Sequence, residues 1–162
     1  MAKRRKFPDQ RPIGDPGSDG FQVDRYPFYL LNRALGRYNA VILSRLRAID
    51  LDIPNWRVLM VLGEHSPRGI GQISEASVIK LATMMRILQR MTDAGLVSSA
   101  PSTDDARVTN VSLTDAGRVK LAQARSATAP VYAAAIKSFS AADFDRLIAL
   151  LGRLHNNLAA IE

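Results

Sequence analysis

IKLATMMRILQRMTDAGLVSSAPSTDDARVTNVSLT, from Ile79 to Thr114, is the stretch whose reading decides the fold. Its first half has a helical period: Leu81, Met84, Leu88 and Met91 recur at intervals of three and four and so share one helix face. Thr83, Arg86, Gln89 and Arg90 fall on the other side. Gly95 stands where such a helix stops, because glycine accepts the left-handed conformation that ends many helices. The second half reads as two short extended runs. Leu96-Val97 opens one, and Val108, Val111 and Leu113 make the other. Between them Ser-Ala-Pro-Ser-Thr-Asp-Asp-Ala-Arg is a charged, turn-forming tip. A helix with one polar face, followed at once by a two-stranded ribbon with an arginine near its tip, suits duplex DNA. The helix matches the major groove, and the ribbon reaches an adjacent groove or the backbone.

The chain has 162 residues, enough for one domain with a real core. Hydrophobic residues make up 47%, as in a globular protein, yet no apolar run approaches the length of a bilayer span. The N-terminus lacks the apolar stretch of a signal peptide, so a cytoplasmic location is expected. The absence of cysteine excludes disulfides, iron–sulfur ligation and thiol-based sensing. The net charge of +7 favours an anionic partner. Residues 1–12, however, hold five bases (Lys3, Arg4, Arg5, Lys6, Arg11) against Asp9, which leaves the body at only +3. The pattern at 79–114 is therefore stronger evidence for DNA than the charge is.

Residues 1–20 are basic, then rich in Gly, Pro and Asp, and read as a flexible basic tail. Two roles stay open for Lys3-Arg4-Arg5-Lys6: non-specific phosphate contacts, or none. From Tyr26 to Ile49 the pattern is helical, with Leu31, Leu35, Tyr38, Ile42 and Ile49 on one stripe. Asp52 reads as an N-cap with Pro54 in the first turn of a second helix, which carries Trp56, Leu59 and Leu62 and ends near Ser66-Pro67. Thr114 caps a long helix running to Ser138, in which Pro130 is expected to make a kink or a break. Ser140 and Asp143 resemble a capping box. Phe144, Leu147, Leu151, Leu154 and Leu158 then keep the spacing of a helix seam. Long apolar helices at both ends of a small domain carry more apolar surface than one chain covers, so they are read as dimerisation helices.

The stretch resembles the winged helix-turn-helix of the multiple-antibiotic-resistance repressor (MarR) family. The matching residues are Thr83 and Arg86, Gly95-Leu96-Val97, Asp105-Ala106-Arg107, and Leu113-Thr114-Asp115-Ala116-Gly117. An Asp-x-Arg shortly before a Leu-Thr-x-x-Gly is the most specific part, and the pattern extends from about Tyr26 to Leu158. The resemblance implies a mostly α fold with a small antiparallel β wing. Residues 21–162 would form a single domain: a winged helix-turn-helix at about 52–114, and dimerisation helices at about 24–50 and 115–160. Arg68-Gly69-Ile70 would complete the winged sheet. Gly71 to Val78 would be the positioning helix, with Ile73 packed on the recognition helix.

On this reading Lys80, Thr83, Arg86, Arg90 and Arg107 contact DNA, and Asp105 orients Arg107. The family also implies a pocket for small aromatic acids, for which Tyr26, Tyr29, Arg33 and Trp56 are candidates. No catalytic constellation stands out: His65 and His155 lie far apart, each without a nearby partner of the kind a metal site or triad needs, and no glycine-rich phosphate loop is present. No enzyme activity, metal or cofactor is expected. The expected function is that of a ligand-responsive, sequence-specific transcriptional regulator. It would bind a near-palindromic operator as a homodimer, with repression implied by family analogy. The alternative is a winged-helix module that binds protein through the same surface.

Overall fold

The structure is a computed structural model that describes residues 9–103, 105 and 107–161. It contains six α-helices and a three-stranded sheet: α1 (Pro27–Arg47), α2 (Ile53–Glu64), β1 (Arg68–Gly69), α3 (Ile70–Ala76), α4 (Leu81–Asp93), β2 (Val97–Pro101), β3 (Thr109–Leu113), α5 (Asp115–Ile136) and α6 (Ala141–Ala159). The mostly α fold with a small β wing is the one expected. The chain divides within α1, between Ser44 and Arg45, into two compact units.

In the first unit the segment read as a tail has local structure from Asp9 onward; Lys3-Arg4-Arg5-Lys6 lie outside the described residues. Arg11–Gly14 and Val23–Arg25 form single 3-10 turns. The Gln22 N–H donates to the Ile13 carbonyl at 2.9 Å, which closes the segment on itself. Gly14 permits the closure, since a Cβ there would meet the Arg25 carbonyl oxygen at 2.7 Å. Tyr26 packs edge-on against Phe21 at 5.8 Å and Phe28 at 5.5 Å. These aromatic contacts join residues five and two apart, which no local period reveals. In α1, only Ile42 of the expected stripe is buried; Leu35 and Tyr38 are exposed, and Ile49 lies past the helix end.

The second unit holds the winged domain. Asp52 caps α2 by accepting from the Asn55 N–H at 2.8 Å, as its position before Pro54 suggested. The strand order is β1-β3-β2, antiparallel throughout, with Arg68 opposite Val111 and Val97 opposite Leu113. The β2–β3 ribbon is longer than the sequence suggested: strand pairing continues to Pro101 opposite Thr109, which shortens the tip. Pro101 is tolerated because β2 is an edge strand, where a missing N–H breaks no ladder. The core gathers Val58, Leu59 and Leu62 of α2, Ile73 of α3, Met84, Ile87, Leu88 and Met91 of α4, Val97, Val111 and Leu113 of the sheet, and Leu121 and Ala124 of α5.

One residue of the expected α4 stripe is misplaced: Leu81 is 51% exposed, and Ile87 takes its place in the core. Leu81 begins the helix at the margin of the buried stripe, where no neighbouring element covers it. Thr114 caps α5 by accepting from the Gly117 N–H at 3.0 Å, and its hydroxyl donates to the Gly95 carbonyl at 2.6 Å. A Cβ on Gly117 would stand 2.0 Å from the Leu96 carbonyl oxygen, so glycine is what lets α5 start against the end of the α4–β2 connection. Of the kink or break expected at Pro130, the break does not occur; α5 runs through it. A proline removes one donor from the ladder, and in a 22-residue helix the turns on both sides remain closed. Ser140 and Asp143 form the expected box: the Asp143 N–H donates to Ser140 Oγ, and the Ser140 N–H to Asp143 Oδ2, both at 3.2 Å. No described residue of α6 is buried, and Leu147, Leu151 and Leu158 are exposed.

Three helices end in the same way. After α1, α3 and α4 the chain turns through a left-handed residue: Asp50 at φ 55°, Val78 at 54° and Gly95 at 69°. Each is bracketed by the paired bonds of a Schellman ending, with Leu51 N–H to Leu46 O (3.0 Å), Ile79 N–H to Ser74 O (3.0 Å) and Leu96 N–H to Met91 O (2.9 Å) as the outer bonds. Glycine adopts this conformation freely and aspartate tolerates it, whereas a β-branched residue is strained there. Val78 therefore opposes the turn it occupies. Val78→Gly should relieve about 1–3 kcal/mol of strain against about 0.5–1 kcal/mol for the freedom of glycine. Thermal denaturation should show a higher melting temperature, and an unchanged or lower one would contradict this account of the turn.

Candidate nucleic-acid interface

The burial of Met84, Ile87, Leu88 and Met91 fixes the rotation of α4 about its axis. At 3.6 residues per turn, Ala82, Arg86 and Gln89 then point straight away from the core. Thr83 and Arg90 lie on one flank of that outward face, and Leu81 and Met85 on the other; all seven are exposed. Thr83, Arg86, Ile87, Gln89 and Arg90 line a shallow concavity of about 450 Å³. The Arg86 Nε–H reaches back toward the Ala82 carbonyl at 3.5 Å, and Gln89 Nε2 donates to Asp93 Oδ1 at 2.8 Å. Asp93, the one acid of α4, is thus held by a neighbour. Lys80 stands at the N-cap position, exposed, with no side-chain cap bond to the helix. Of the sequence-derived candidates, Thr83, Arg86 and Arg90 therefore line one concavity of α4, and Lys80 stands exposed at its N-cap.

The turn that aims this helix is tied down by groups that no sequence period marks. Ser74 Oγ donates to the Ile79 carbonyl at 2.6 Å. Arg57, from α2, donates to the Ser77 carbonyl at 3.3 Å. The positioning helix, its turn and α2 are in this way fastened together. Ile73 of α3 is fully buried, and α3 packs on α4 as expected.

At the wing tip the Arg107 guanidinium donates to both carboxylate oxygens of Asp105, Nε–H to Oδ1 at 3.0 Å and Nη2–H to Oδ2 at 2.9 Å, while the Arg107 N–H also donates to Oδ1 at 3.0 Å. These bonds, the side-chain ones first, hold the Asp105 carboxyl below the usual carboxylate range and raise Arg107 in turn. The Arg107 side chain is still 90% exposed, so its charge remains presented to the surroundings. The same local clamp appears at Asp9 and Arg11, where Nη2 meets Oδ2 at 2.7 Å and the Asp9 pKa falls to about 2. Both Asp-x-Arg sequences of the described residues therefore close on themselves in the same way. Asp104 and Ala106 lie outside the described residues.

Of the four residues read as candidates for a ligand pocket, Tyr26, Tyr29 and Arg33 belong to the first unit and Trp56 to the second. Arg33 lies 5.6 Å over the Tyr29 ring on α1, and Tyr26 belongs to the aromatic cluster with Phe21 and Phe28. Trp56 is half-buried on α2 in the second unit. Within that second unit, a cleft of about 550 Å³ between α2 and α5 is lined by Leu62, Leu113, Leu121, Arg118 and Arg125, which are none of the expected residues. Among the described residues no group of three or more His, Asp or Glu gathers as for a metal, and no helix is long and apolar enough to cross a membrane.

Comparison with known proteins agrees with this geometry. The MarR family model matches residues 51–109, from the start of α2 to the wing. The HTH-type transcriptional repressor IacR of Pseudomonas putida is 37% identical over 147 residues, which span 91% of this chain and 88% of that relative. A MarR-family transcriptional regulator from Silicibacter pomeroyi superposes with a TM-score of 0.76 at 25% identity, covering 84% of this chain and 92% of that one. A mutant MarR from E. coli, solved in complex with operator DNA, shares the fold with a TM-score of 0.68 at 19% identity, over 77% of this chain and 90% of that one. A helix-turn-helix with a wing, the outward basic face of α4 and a 37% identical repressor along nearly the whole chain lead to one conclusion: the chain belongs to the MarR family of winged helix-turn-helix transcriptional regulators.

Proposed function

We propose that this protein is a ligand-responsive transcriptional repressor that binds a near-palindromic operator as a homodimer. The observation that carries the reading is the outward face of α4, where Thr83, Arg86, Gln89 and Arg90 are all exposed on a helix whose other face is core. In the dimer two copies of α4 enter successive major grooves about one helical turn apart, roughly 34 Å. Arg86, central on that face, reaches guanine O6 and N7. Lys80, Thr83 and Arg90 flank it toward the phosphates. Arg107, on the exposed wing tip and oriented by Asp105, adds minor-groove or phosphate contacts.

Two further parts of the proposal rest on separate observations. Leu147, Leu151 and Leu158 of α6 and Leu35 and Tyr38 of α1 are exposed in the single chain, which supports their use as the dimer contact. The effector is proposed to be a small aromatic acid. One neighbour of the same fold, BpsR of Bordetella bronchiseptica, has its DNA binding regulated by 6-hydroxynicotinic acid (TM-score 0.69, 20% identity, 79% of this chain and 97% of that one). Tyr26, Tyr29, Arg33 and Trp56 remain the candidates to meet such a ligand, with Arg33 as counter-charge. An effector acts by binding one spacing of the two reading helices better than the other, since differential affinity alone shifts an equilibrium.

Three outcomes follow. Arg86→Ala should weaken binding to a duplex selected by the protein by about 1–3 kcal/mol while leaving random duplex nearly unchanged; Arg107→Ala should lower both and reduce the salt slope by about one unit. Equal losses on both duplexes for Arg86→Ala would remove the case for base reading by α4. Equal drops in melting temperature for Asp105→Ala and Arg107→Ala without DNA would reduce the wing pair to a brace. Light scattering at low micromolar concentration should report twice the 17.7 kDa chain mass, and a clean monomer would refute the dimer. Aromatic carboxylates should raise the melting temperature, and less so after Arg33→Ala. A response to divalent metals alone would overturn the effector class.

A further inference from the structure

The leading end of α4 carries a feature that neither the core nor the basic face explains. Val78 is 85% exposed, Leu81 51% and Met85 57%. Leu81 and Met85 are four residues apart and share one flank of the helix, beside outward-facing Ala82 and Arg86. Val78 precedes Leu81 by three residues, in the turn that leads into the helix. Isolated exposed apolar side chains need no account. Here three fall within eight residues, in the first turns of α4 and the turn that leads into it. The fold has no use for Val78 in particular: its side chain lies outside the core, and its backbone is held at a positive φ that a β-branched residue resists.

The charges around this ridge select its partner. Lys80 lies between Val78 and Leu81 in sequence, Arg86 lies next to Met85, and the one acid of α4, Asp93, is two turns away and bonded to Gln89. An apolar strip edged by cations matches the major-groove edge of an A·T pair. There the thymine C5-methyl is the one apolar group on a floor of donors and acceptors, between two rows of phosphates. We propose that Leu81 and Met85, with Val78 at the turn, read thymine methyl groups at the part of each half-site met by the first turns of α4. Arg86, one position further around the helix, reads the adjoining guanine. This inference rests on the DNA-binding reading above and adds to it which bases the apolar flank selects.

The test removes the methyl group and nothing else. Duplexes are first enriched from a random pool with the full chain. In the resulting sequence each thymine is then replaced singly by deoxyuridine, which keeps the Watson–Crick pair and deletes the C5-methyl. At one or two positions per half-site the affinity of the wild type should fall about three- to tenfold, the scale of one buried methyl group or somewhat more. Leu81→Ala and Met85→Ala should lose that sensitivity while still binding, and Met85→Gln, which keeps the length of the side chain, should lose it as well. Arg86→Ala should retain it. Uniform tolerance of uracil by the wild type would overturn the inference and leave the ridge to a protein partner. So would undiminished uracil sensitivity in both alanine variants. Failure to enrich any sequence from the pool would instead sink the DNA-reading proposal itself, and this inference with it.

Discussion

The rotation of one helix about its own axis is the constraint on which the rest depends. Met84, Ile87, Leu88 and Met91 are buried at 4% exposure or less, and each contributes about 1.5–3 kcal/mol by leaving water. Turning α4 by one residue, about 100°, toward the Thr83 flank would expose part of that stripe and bury Arg86 or Arg90 unpaired, which is far more costly. The composition of the reading surface follows from packing rather than from any property of the exposed residues. The same rotation places Leu81 and Met85 on one flank and Thr83 and Arg90 on the other, so the two sides of the helix present different chemistry to a groove.

Direction along the axis is set by the turn before α4 and the cap after it. Arg57 and Ser74 fasten the turn, and Thr114 binds the Gly95 carbonyl while capping α5. Gly117 admits the Leu96 carbonyl where any side chain would collide. The start of α5 and the end of α4 are thereby built on shared atoms. The long helix α5 is coupled in this way to the helix whose outer face is basic. Coupling of that kind is what a regulator needs if a change in dimer spacing is to reposition its reading heads.

Much of this was legible in the residues alone, because it is local. The three-and-four spacing located α4, Gly95 stopped it, and Asp52, Thr114 and Ser140 declared the starts of α2, α5 and α6. Periodicity was less able to choose between Leu81 and Ile87, since both lie near the margin of the stripe and only the covering elements decide. The extension of β2 to Pro101, the passage of α5 through Pro130 and the closure of Ile13 on Gln22 depend on partners or neighbouring turns that composition does not reveal. In the interface, Arg86 and Arg90 were visible as a polar face. Arg57 was not, because its bond spans twenty residues to the Ser77 carbonyl. The Asp-x-Arg of the wing was conspicuous in the sequence, yet the identical clamp at Asp9 and Arg11 shows that its geometry is a local habit.

The central claim is that the outward face of α4 lies against base edges in the major groove. Dimethyl sulfate protection tests it directly, because the reagent methylates guanine N7 in the major groove and adenine N3 in the minor groove of the same duplex. On a duplex enriched by the protein, the account requires guanine N7 protection in two patches about one helical turn, roughly 10 base pairs, apart. Protection confined to adenine N3, or none at guanines within the bound region, would contradict it.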